Sequence, residues 1–107
     1  MTGEDKWTSI GEDMRIEGAV TTGSPLVVEG EVVGDVTTPR QIEVAEDGII
    51  RGAVRGDEVI VAGKIQGPVT TTGRLLILAS GAVLGDVAVK SILVEEGGSL
   101  TGRCKMG

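Results

Sequence analysis

Residues 26–36 read Leu26-Val27-Val28-Glu29-Gly30-Glu31-Val32-Val33-Gly34-Asp35-Val36. Leu26, Val28, Val32 and Val36 share one parity with Gly30 and Gly34, so in extended chain all six point to one face. The two glycines fall where that face would crowd if the chain turned, and glycine tolerates a corner. The pattern returns in residues 59–69. It returns with two extra residues in 42–54, 75–87 and 92–104. The last apolar anchor of each copy is Val20, Val36, Val54, Val69, Val87 and Cys104, so the period is 15 to 18 residues. That is too short for a helix pair or a propeller blade. It suits one coil of a parallel β-solenoid with three short strands per coil. Stacking should align the six anchors in a single inward column.

The composition agrees. The chain has 107 residues, enough for one domain. It is 40% hydrophobic, but Trp7 is its one aromatic residue. A wide globular core draws on Phe and Tyr, whereas a narrow solenoid can stack Val, Ile and Leu on themselves. Eighteen glycines supply many corners. No segment shows helical apolar spacing. The expected fold is all-β: a right-handed parallel β-helix of about six coils, right-handed because parallel crossovers almost always are. Residues 1–7 read as a short flexible N-terminal tail and 8–106 as the β-helix domain.

A net charge of −6 argues against nucleic acid as a partner and against electrostatic docking on anionic lipid. No apolar run is long enough to span a membrane, and the polar, acidic N-terminus does not read as a signal peptide. A single cysteine cannot form an internal disulfide, which points to a reducing cytoplasm.

Catalysis finds little support. The chain has no His and no Tyr, and no phosphate-binding loop or dinucleotide fingerprint appears. Cys104 reads as a small buried filler, since no His could activate it. Asp35 and Asp86 each follow a glycine and should lie on one side of the stack, where a weak cation site is conceivable. No catalytic residue, cofactor site or metal site is assigned. A left-handed hexapeptide-repeat acyltransferase would show a strict six-residue period and a His, and neither is present. A threonine rank for ice or polysaccharide, built on Thr21-Thr22, Thr37-Thr38 and Thr70-Thr71-Thr72, is broken at Arg55-Gly56 and Ala88-Val89. Those threonines read more simply as turn residues.

Three stretches carry a resemblance to a known family. They are Ile10-Gly11-Glu12-Asp13-Met14-Arg15-Ile16-Glu17-Gly18, Val28-Glu29-Gly30-Glu31-Val32-Val33-Gly34-Asp35-Val36, and the closing Gly97-Gly98-Ser99-Leu100-Thr101-Gly102-Arg103-Cys104-Lys105-Met106. The sequence resembles a bactofilin domain over about residues 8–106. The resemblance implies a right-handed β-helix of triangular section and end-to-end polymerisation into non-polar filaments without nucleotide. It also implies a scaffolding role in the cell. Many members bind membrane through a short N-terminal tail; here that tail offers Met1 and Trp7 as apolar anchors. The family often has Phe where this chain has Leu100.

Polymerisation also follows from the repeat. A stack of coils has two ends, each with an open core and unpaired backbone groups. In this sequence the last coil runs straight into Met106-Gly107, with no segment to cap it. Docking of C-terminal ends through a two-fold would bury Ile92, Val94, Leu100 and Met106. At the N-terminal end Trp7, Ile10 and Ile16 are the candidates, with a simple hydrophobic lid as the plainer role for Trp7. Two such isologous contacts generate a filament without polarity. The expected partner is the chain itself, with client proteins unspecified. The alternative is a non-polymerising β-solenoid that binds a carbohydrate or a protein.

Overall fold

The computed structural model describes residues 8–11, 13–21, 23 and 25–106. Coil one holds β1 (Thr8–Ile10), β2 (Arg15–Glu17) and β3 (Val20–Thr21). Coil two holds β4 (Leu26–Val28), β5 (Glu31–Val33) and β6 (Val36–Thr37). Coil three holds β7 (Gln41–Val44), β8 (Ile49–Arg51) and β9 (Val54–Gly56), and coil four β10 (Glu58–Val61), β11 (Lys64–Gln66) and β12 (Val69–Thr71). Coil five holds β13 (Arg74–Ile77), β14 (Ala82–Leu84) and β15 (Val87–Val89), and coil six β16 (Ser91–Val94), β17 (Ser99–Thr101) and β18 (Cys104–Met106).

Every third strand joins the same sheet, which gives three parallel six-stranded sheets around one axis. The fold is a right-handed parallel β-helix of triangular section.

The ladder aligns like with like. Val20, Val36, Val54, Val69, Val87 and Cys104 pair in one column of the third sheet. The second sheet stacks Ile16, Val32, Ile50, Ile65, Val83 and Leu100. The first sheet stacks two columns. One runs from Ile10 through Val28, Val44, Val61 and Ile77 to Val94; the other runs from Leu26 through Ile42, Val59 and Leu75 to Ile92. From coil two to coil five these side chains are almost wholly buried. Each such aliphatic contributes roughly 1.5–3 kcal/mol when its surface leaves water. The partners lie in the coils on either side, so stability accumulates along the stack.

The glycines mark the corners. Gly34 lies between β5 and β6 with φ of 140°, a region that side-chain-bearing residues rarely adopt. A Cβ there would also strike the carbonyl oxygen of Gly18 in the coil before. The same corner recurs at Gly52, Gly67, Gly85 and Gly102. The long corners close as turns: the amides of Met14, Gly48, Gly81 and Gly98 donate to carbonyls three residues earlier, at 2.8–3.0 Å. Pro68, whose missing N–H would cost a ladder bond inside a strand, lies just outside β12, and its carbonyl accepts from the Val54 amide at 2.8 Å.

Candidate functional site: the two ends of the stack

The site proposed from sequence comprises both ends, and their chemistry differs. Coil six carries the last member of every inward column. In the first sheet Val61 and Ile77 are fully buried, whereas Val94 at the end of that column is 40% exposed. Ile92 and Leu100 are half-buried and still pack against the core. Cys104 is exposed. The expectation of a buried filler is therefore corrected. Cys104 does occupy the inward column, but as its terminal member it has a neighbour, Val87, on one side only. Met106 pairs with Val89 in the ladder. Ile92, Val94 and Leu100 thus lie together on one terminal face, with Cys104 beside them.

Among the described residues the N-terminal end is more closed. Ile10 ends the same column as Val94 yet is 2% exposed. Ile16 and Val20 are half-buried, and the nearby Met14 is 50% exposed. Of the three residues assigned to this end, Ile16 offers accessible apolar surface, Ile10 offers almost none, and Trp7 lies outside the described residues.

One inward column was missed in the sequence. On the third sheet Thr38, Gly56, Thr71 and Val89 also face inward, the two threonines only 2% and 6% exposed. Thr38 accepts the Arg40 amide through its hydroxyl at 3.2 Å, which is turn chemistry. The Thr71 hydroxyl is buried with no hydrogen-bond partner among the described residues. The available signal was alternation: Thr38 and Thr71 lie two residues after Val36 and Val69. Their neighbours Thr37, Arg55, Thr70 and Ala88 form the outward row, so the threonine rank is broken as expected.

The outer faces carry charge. Arg15 and Arg51 both reach Glu31 from the neighbouring coils, at 3.5 and 3.8 Å, and Arg74 reaches Glu58 at 3.5 Å. These pairs are exposed and contribute little each. Asp35 and Asp86 take a structural part, accepting the amides of Ala53 and Arg103 in the next coil at 3.2 Å. Among the described residues no group of three His, Cys, Asp or Glu is arranged to hold a metal ion. A groove of about 740 Å³ follows the corner between the third and first sheets, past Arg40, Asp57, Glu58, Arg74 and Lys90. Much of its charge is already engaged, since Thr72 donates to Asp57 at 2.9 Å and Arg74 pairs with Glu58.

Comparison with known protein families matches residues 8–105 to bactofilins, described as polymer-forming cytoskeletal. The chain belongs to the bactofilin family. The match reaches into all six coils, so the stacked tube is the family domain itself. No curated protein and no solved structure matches the chain. Bactofilins are a structural, polymer-forming family.

Proposed function

We infer that this bactofilin polymerises end to end into non-polar filaments without nucleotide, as a cytoskeletal scaffold. The carrying observation is the contrast along one column. Val61 and Ile77 are fully buried and Val94 is 40% exposed. A second copy whose coil six covers Val94, Ile92 and Leu100 would give them the neighbours that every inner coil already has. Backbone complementarity supports the same contact, because the outer edges of β16, β17 and β18 are edge strands of their sheets. A two-fold contact at this end and another at the N-terminal end, through Ile16, give a filament without direction. A reducing cytoplasm suits the chain, whose single cysteine cannot pair within it. Membrane contact is assigned to the N-terminal tail, residues 1–7, which lie outside the described residues.

Electron microscopy of the purified chain without ATP or GTP tests this reading. Filaments are expected. A monodisperse monomer across a range of salt and concentration contradicts it.

A further inference from the structure

The outer face of the first sheet changes character along the stack. Its central outward row runs Val27, Glu43, Ile60, Leu76 and Leu93. From coil four onward the row is wholly apolar, and Leu78 widens it. Ile60, Leu76 and Leu78 are half-buried, and Leu93 is 55% exposed. This leucine is not part of the terminal face: it points sideways, between the inward Ile92 and Val94. Across coil six the two rims of the patch differ in charge. Lys90 stands exposed at the start of β16, and Glu95 and Glu96 stand exposed at its end. None of the three forms an ion pair among the described residues.

We propose that this patch is a lateral contact between filaments, and that its occupant is the same patch on a second copy of this chain. It rests on the end-to-end reading, because the patch is too small to act alone. Three strands about 4.8 Å apart and four residues long cover on the order of 200 Å², against the ~800 Å² per partner of a stable interface. Repetition along a filament supplies the missing strength, since linked weak contacts act together.

Charge sets the geometry. A two-fold parallel to the stack lays Leu76 near Leu76 with strands antiparallel. That puts Lys90 of each copy opposite Glu95 and Glu96 of the other. A two-fold along the strands instead sets Arg74 against Arg74 and leaves both glutamates without a cation. The acidic rim also disfavours an anionic membrane as occupant.

The test compares four chains by electron microscopy and low-speed sedimentation: wild type, Leu93→Glu, Lys90→Glu, and Lys90→Glu combined with Glu95→Lys and Glu96→Lys. Wild type should form paired or bundled filaments. Leu93→Glu and Lys90→Glu should give single filaments of unchanged length that no longer sediment at low speed. The triple variant, with the charges exchanged, should bundle again. Single wild-type filaments, or bundles that survive Leu93→Glu, overturn the lateral contact alone. No rescue by the charge exchange overturns the proposed geometry. Absence of wild-type filaments overturns both this contact and the end-to-end reading. Flotation of wild-type filaments with phosphatidylcholine–phosphatidylglycerol vesicles, abolished by Leu93→Glu, would make the occupant a membrane and overturn the proposal.

Discussion

The two ends of the stack are built from the same columns and finish differently. Ile10 and Val94 terminate one column, the first 2% and the second 40% exposed. Ile16 and Leu100 terminate another, both half-buried. A solenoid end is therefore not open merely because a column stops. Openness depends on what shields the last member. Among the described residues the shared column is covered at its N-terminal end and uncovered at its C-terminal end, so the C-terminal contact should be the stronger and the assembly unit should be a dimer joined there.

The largest expected effect comes from charging each end in turn. Leu100→Arg should abolish filaments and leave folded monomers and weak dimers, because a charge in a desolvated contact costs several kcal/mol. Ile16→Arg should also stop growth, but leave a firm dimer joined through coil six. Sedimentation velocity separates these outcomes. Equal distributions for the two variants would break the comparison, and full-length filaments from Leu100→Arg would move the joint elsewhere.

The corner glycines sharpen the same contrast through stability. A Cβ on Gly102 would strike the carbonyl oxygen of Gly85, whereas one on Gly18 would meet nothing within 4 Å among the described residues. Both have positive φ, at 130° and 121°. Gly18→Ala should cost about 1–3 kcal/mol from backbone strain alone. Gly102→Ala should cost more by urea denaturation and weaken filaments as well, by displacing β17 or β18. Equal losses would mean that the neighbouring coil yields freely.

The smallest effect lies between the ends. Thr71→Val removes a buried hydroxyl that has no described partner and keeps the shape. It should stabilise the fold by about 1 kcal/mol and leave assembly unchanged, which makes it a control for the end variants. A loss of stability would show that the hydroxyl is engaged.

Most of the fold was legible because a solenoid repeats its own evidence. Four of the inward columns could be written from the spacing of Val, Ile and Leu, and the corners from Gly. The fifth column was hidden because its members, Thr38, Gly56, Thr71 and Val89, are chemically mixed, and the threonines read as turn residues although Thr71 lies in strand β12. The end faces were legible as residue names but not as exposures. Periodicity treats the last copy like the others, so Cys104 looked like any buried anchor. What distinguishes it is a missing neighbour, and no residue type records that. The lateral row of Ile60, Leu76 and Leu93 was equally silent, since a strand that buries one face gives no account of why its other face is apolar.

Cys104 offers the most direct measurement. It is the single cysteine of the chain and lies in coil six. Filaments treated with a short bismaleimide should yield covalent dimers through Cys104 of two chains and nothing larger. Leu100→Arg should yield few. A filament whose chains run head to tail would set Cys104 against an N-terminal end that has no thiol. Filaments that give no covalent dimer would contradict a joint between C-terminal ends.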